Sequence, residues 1–254
     1  MRLIPGEGPD LALIHGWGLG SAVWQPLLAP LARSCRLHLV ELPGYGRAAD
    51  DTAGLAACAE SLLATLPTPV TLCGWSLGGL LALRAALLAP QRVSGLILIG
   101  TTPCFVQRPD WPAAQPAALL AGFADSVGKQ PAETLQRFVA LLCQGDTQAR
   151  TLTRRLLAQL RQEPLPELGA LQRGLEWLGD TDLRPLLPGI SCRSLLLHGA
   201  SDAVNPLAAA GWLAQALPDS KLEVFPDTGH APFLADPARC RELLSQFCHA
   251  TRAH

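Results

Sequence analysis

Charge is scarce in this chain. Only 16% of its 254 residues are Asp, Glu, Lys or Arg, and their formal sum is −1. That balance excludes a global pull toward nucleic acid or an acidic surface. Long apolar runs are missing too: none reaches the ~18–20 residues of a membrane span. The opening Met1-Arg2-Leu3-Ile4 is interrupted at once by Pro5 and Gly6, so no signal peptide is expected. The eight cysteines, at 35, 58, 73, 104, 143, 192, 240 and 248, include no C-x-x-C pair. They predict buried free thiols in a reducing cytosol, with no zinc site, no disulfide framework and no cofactor. What the chain has in quantity is apolar: 49% of its residues are hydrophobic, enough for a large core in one domain, with a monomer as the default state.

The apolar residues come in a rhythm. Short runs at 11–14, 36–42, 70–73 and 93–99 alternate with helical patterns at 21–33, 53–66 and 76–88. Strands apolar throughout predict an α/β fold, a mostly parallel sheet with helices on both faces. After the fourth strand the rhythm breaks. Residues 104–187 carry no strand signal, only helical runs at 116–127, 131–142, 147–161 and 168–178 separated by proline and glycine. The rhythm resumes with strands at 194–199 and 221–225 and helices at 205–217 and 236–249. The chain therefore divides into a core, 1–103 with 188–254, and a helical insertion, 104–187.

Gly74-Trp75-Ser76-Leu77-Gly78-Gly79 lies between the third strand and the helix after it. It matches G-x-S-x-G, a turn that lifts a serine hydroxyl clear of a sheet and aims a helix N-terminus at it. Serine is a weak nucleophile without a base, and the base needs an orienting acid. Both are expected in loops at the carboxyl ends of later strands. Asp202 follows the strand at 194–199 and His230 follows that at 221–225, in the chain order this fold uses. The assignment is Ser76 as nucleophile, His230 as general base and then acid, and Asp202 as the carboxylate that holds the imidazole. Asp227 is too local to His230 to aim at its ring, Asp180 and Asp182 read as cap or turn residues, and His38 and His198 as core. An oxyanion needs two N–H donors. Leu77 supplies one, and Trp17, in the loop His15-Gly16-Trp17-Gly18, the other. His15 reads as a brace for that loop.

These motifs, with Asp227-Thr228-Gly229-His230-Ala231-Pro232-Phe233, resemble those of α/β-hydrolases over nearly the whole chain. HGWG, LHLVELPGYGR, GWSLGGLLAL and GHAPFLADP, together with the Pro103-Cys104-Phe105 and Asp110-Trp111-Pro112 stretches, resemble more narrowly the carboxylesterases of biotin synthesis. Those enzymes remove the methyl ester from a pimeloyl chain held on acyl carrier protein. The resemblance implies that the insertion is a cap over the serine, shaping an acyl pocket for which Trp111, Phe123, Phe138, Leu141 and Leu142 are candidates. It implies that Phe138, Val139, Ala140, Leu141 and Leu142 contact the acyl chain. Residues 137–161 carry five arginines (137, 150, 154, 155 and 161) against one acid, Asp146. On a helix through 147–161, Arg150, Arg154 and Arg161 share one face, opposite Leu152, Leu156 and Leu160. The resemblance implies that Arg137, Arg150 and Arg154 dock the acidic carrier. The family often begins with a longer N-terminal strand pair, where this chain has only Met1–Pro9 ahead of the first strand read. The triad alone also fits a general short-chain esterase, a C–C bond hydrolase or a perhydrolase of the same fold. A ligand receptor without activity would have no need of the histidine base.

Overall fold

The computed structural model describes residues 1–50 and 53–252. Its strands are β1 (Arg2–Ile4), β2 (Asp10–Ile14), β3 (Arg36–Val40), β4 (Val70–Trp75), β5 (Val93–Ile99), β6 (Arg193–Gly199) and β7 (Ser220–Phe225). They form one seven-stranded sheet in the order β1-β3-β2-β4-β5-β6-β7. Every pairing is parallel except that of β1 with β3. The central strands are buried on both faces. All six residues of β4 and four of the five in β2 are shut off from solvent, as a sheet sandwiched between helices requires.

The helices of the core are α1 (Gln25–Leu31), α2 (Leu55–Thr65) and α3 (Leu77–Leu88). Between β5 and β6 come α4 (Ala117–Lys129), α5 (Pro131–Leu142), α6 (Ala149–Leu160) and α7 (Leu168–Asp180). The chain closes with α8 (Leu207–Ala216), the one-turn α9 (Pro232–Ala235) and α10 (Pro237–Arg252). Helix α3 packs on β4 and β5 and against α2, while α1 packs with α10, which also rests on β5 and β6. Helix α3 is apolar on nearly every side because it is buried on nearly every side.

Three local features differ from the reading of the sequence. The sheet begins one strand earlier, at β1, with Arg2 opposite Leu39 and Ile4 opposite Leu37. Three residues at a sheet edge, with Leu3 more than half exposed, carry too little alternation to register as a strand. The helix at 21–33 is instead a 3₁₀ turn, Ser21–Trp24, leading into α1. A one-turn helix, α9, precedes the closing helix read at 236–249, which runs as α10 from Pro237 to Arg252; between them the Asp236 side chain accepts the Arg239 N–H at 3.0 Å.

The strand order places the site. From β2 the chain moves to β3 on one side, then crosses to β4 on the other. The carboxyl ends of β2 and β4 therefore flank a crevice where successive connections diverge, the usual ligand position in such sheets.

Candidate active site

Ser76 sits at the carboxyl end of β4 with φ 54° and ψ −116°. This left-handed conformation is strained for a residue with a Cβ. The surroundings hold it there. The Ser76 N–H donates to the Ile99 carbonyl at 2.9 Å, and its own carbonyl accepts the N–H groups of Gly79 and Leu80. Two glycines make the turn possible. A Cβ on Gly74 would stand 2.3 Å from the Gly78 carbonyl oxygen, and one on Gly78 would stand 2.4 Å from that of Ile14. Leu77 is the first residue of α3, so its N–H has no acceptor within the helix.

Asp202 and His230 meet although 28 residues separate them. His230 Nδ1 donates to Asp202 Oδ2 at 2.7 Å, and both side chains are without solvent exposure. Asp202 Oδ1 accepts the backbone N–H groups of Val204 and Asn205, each at 2.8 Å. Burial works against the Asp202 carboxylate, but the two neighbouring imidazoles and the Asn205 N–H outweigh it and hold its pKa below the usual range. With Nδ1 engaged, Nε2 is left as the acceptor of the ring. That atom is buried and has no hydrogen-bond partner among the described residues. Burying an unpartnered polar atom is costly, and it is the atom that would take a proton from an incoming hydroxyl.

Four neighbours of this pair did not stand out in the sequence. Trp75 donates from Nε1 to the His230 carbonyl at 2.9 Å and meets Phe233 edge-on. Asn205 Nδ2 donates to the Gly100 carbonyl at 2.6 Å. His198 is buried as expected of a core residue, yet its Nε2 also donates to the Asn205 carbonyl at 2.9 Å and lies 3.3 Å from Asp202 Oδ2. The buried Asp146 accepts the Gly229 N–H at 3.4 Å, while the Leu142 carbonyl accepts that of His230. Only tertiary proximity marks any of them, apart from Trp75, whose place before the serine was a usable signal. Asp182 accepts the Arg184 N–H and pairs with its guanidinium, as a turn residue would. His38 is buried against Asp10.

The loop after β2 is tightly braced. His15 Nδ1 donates to the Gly16 carbonyl at 2.8 Å and its Nε2 accepts the Leu42 N–H at 3.1 Å. The Gly18 N–H donates to the Tyr45 hydroxyl. Glu41 accepts both the N–H and the hydroxyl of Ser21. Burial opposes the Glu41 charge, but His15 and Ser21 prevail and hold its pKa low. Trp17 anchors the loop to the insertion by donating from Nε1 to the Leu171 carbonyl at 2.8 Å.

Above Ser76 lies a pocket of about 190 Å³. Its lining is apolar, led by Trp17, Phe105, Phe123, Phe138, Leu141 and Leu175, with Ser76 and Gln115 the polar members among the described residues. The α5 stretch divides by helical period. Phe138 and Leu141 line the pocket, Val139 and Leu142 are buried outside its lining, and Ala140 is exposed. Trp111 also lies outside the lining, under the Arg184 guanidinium and beside Trp212. On α6, Arg150 and Arg154 are exposed and border a groove with Thr153, Leu157 and Arg161, while Leu152 and Leu156 face inward. Arg137 is exposed on α5.

No group of His, Cys, Asp and Glu among the described residues is arranged to hold a metal ion. No described helix is long and apolar enough to cross a membrane. No disulfide joins the cysteines among the described residues, and seven of them are buried.

Residues 11–243 match the alpha/beta hydrolase family. A pimeloyl-[acyl-carrier protein] methyl ester esterase of Aromatoleum aromaticum is 46% identical over 241 residues, covering 93% of this chain and 96% of that one. One from Nitrosomonas europaea is 42% identical, covering 91% and 92%. Among solved structures, an esterase from Exiguobacterium antarcticum superposes with a TM-score of 0.88 at 25% identity, covering 97% of this chain and 94% of the other.

Proposed function

The chain belongs to the alpha/beta hydrolase family, and from that premise we propose that it is a cytoplasmic serine carboxylesterase hydrolysing the methyl ester of pimeloyl-[acyl-carrier protein] in biotin synthesis. The observation that carries the chemistry is the divided imidazole of His230. Nδ1 is fixed on Asp202 while Nε2 is buried, without a partner among the described residues, and able to accept a proton. Ser76 is the nucleophile. Its hydroxyl gives its proton to Nε2 as oxygen attacks the ester carbonyl. The oxyanion is held by the N–H groups of Leu77 and Trp17. Collapse of the tetrahedral intermediate expels methoxide, which takes the proton from His230 and leaves as methanol. Water, deprotonated by the same nitrogen, then releases the acyl group as a carboxylate. Asp202 stabilises the imidazolium at each stage.

The substrate class rests on the curated relatives, on the apolar pocket and on the arginines. The pimeloyl chain lies along Phe138 and Leu141, with Val139, Ala140 and Leu142 supporting that stretch of α5. Arg137, Arg150 and Arg154 dock the acidic carrier. Mostly buried cysteines outside disulfides suit a reducing cytoplasm. The test is methanol release from the carrier-linked methyl ester. The native chain is expected to release methanol, and Ser76→Ala to lose at least ~10³-fold in rate with its fold intact. Near-native turnover by Ser76→Ala refutes the reading.

A further inference from the structure

We propose that Gln115, on the inserted segment, is a positioning residue for the Asp202 loop, so that the insertion helps to aim the acid as well as to cover the serine. The inference rests on the triad reading above. Gln115 Nε2 donates to two consecutive carbonyls, Ala203 at 3.1 Å and Val204 at 2.8 Å. These belong to the two residues directly after Asp202. Asp202 Oδ1 takes the N–H groups of Val204 and Asn205, closing a tight turn. The Asn205 carbonyl is taken by His198, and the Asn205 amide reaches the Gly100 carbonyl at the end of β5. The carbonyls of Ala203 and Val204 are satisfied from the other side, by Gln115. Buried backbone groups need such partners, and both hydrogens of one amide serve here.

The strut is stiff at its own base. The Gln115 N–H donates to the Phe105 carbonyl, and the Gln115 carbonyl accepts the Gln107 N–H, each at 2.9 Å. Trp111 Nε1 donates to the Cys104 carbonyl at 2.8 Å, and Trp111, Cys104 and Ala114 pack on Ala209 of α8. A side chain locked at both ends can hold a catalytic loop to the fraction of an ångström that proton transfer requires. Gln115 also borders the pocket with Ala203 and Val204, so a role confined to lining the pocket is the rival explanation.

The two explanations separate on substrates of different length. Gln115→Met keeps the bulk and removes both donors. With 4-nitrophenyl acetate, too short to fill the pocket, kcat is expected to fall about tenfold while KM stays within about twofold. The rate of Ser76 labelling by a fluorophosphonate should fall by the same factor. Gln115→Lys, which returns donors to the loop, is expected to recover labelling to within about threefold of the native rate. An unchanged acetate kcat in Gln115→Met, with KM raised only for 4-nitrophenyl octanoate, overturns the proposal in favour of a lining role. Should Gln115→Met fail to fold, a folded Gln115→Lys that labels tenfold slowly overturns it as well. A native chain that does not label at Ser76 removes the triad reading itself, an outcome distinct from the other two.

Discussion

His230 Nδ1 stands 2.7 Å from Asp202 Oδ2, and neither side chain has any surface open to solvent. The contact does two things: it selects the tautomer with Nε2 free, and it supplies the charge that stabilises an imidazolium. Asp202→Asn keeps the shape but loses the charge and the tautomer preference. The expected result is a fall in kcat of about 10³–10⁴-fold with little change in KM. Steady-state rates on 4-nitrophenyl butyrate decide it, and a loss under tenfold would mean that the proton travels another way.

His198 predicts the pH dependence of stability. Burial holds its pKa below the ordinary histidine value, outweighing the attraction of Asp202. Below about pH 6.5 the unfolded chain binds a proton at this site that the folded chain refuses. The contribution of His198 to stability is thus complete above that pH and declines as pH falls through it toward the lower folded value. Asp202, also depressed, adds a second loss only below about pH 4. Thermal melts of the native chain should fall between pH 7 and 5, and His198→Gln should flatten that slope. An equal slope in the variant contradicts the assignment.

Trp75 ties the His230 loop to the serine turn through one indole hydrogen bond. Trp75→Phe keeps most of the apolar volume and deletes the donor. A buried hydrogen bond of this kind contributes about 1 kcal/mol, which in a chain of this size is about 2–4 °C in Tm. Turnover is expected to fall several-fold as the His230 backbone loses that anchor. Calorimetry with parallel kinetics measures both effects, and a variant unchanged in both leaves the bond without consequence.

The α6 arginines are exposed and distant in role from the chemistry. Arg150→Glu with Arg154→Glu is expected to lower kcat/KM for the carrier-linked ester at least tenfold while altering small free esters less than twofold. Raising the salt from 50 to 500 mM should erase most of that difference, because exposed charges are screened over about a Debye length. Equal loss on both substrates would show that the arginines only hold the insertion together.

How much of this was legible beforehand depends on range. Mostly apolar runs at 70–73 and 93–99 suffice for a buried parallel sheet, and G-x-S-x-G between a strand and a helix suffices for the turn at Ser76. The order of Ser76, Asp202 and His230 follows from their placement after β4, β6 and β7. Those are local patterns with a fixed period, and the sequence carries them whole. Edge strand β1 escaped because three half-exposed residues have no period to read. The division of Phe138 and Leu141 from Val139 and Leu142 needed the rotation of α5 over the pocket. Gln115, His198 and Asn205 escaped for a different reason. Each matters through a carbonyl or carboxylate far away in the chain or across a loop, and a hydrogen bond leaves no repeat in the sequence that makes it. Local spacing determined which elements form and which side chains stand at strand ends. Only tertiary packing, of the insertion on the sheet and of the core loops on one another, decided which groups brace those side chains, because that depends on where distant backbone oxygens come to rest.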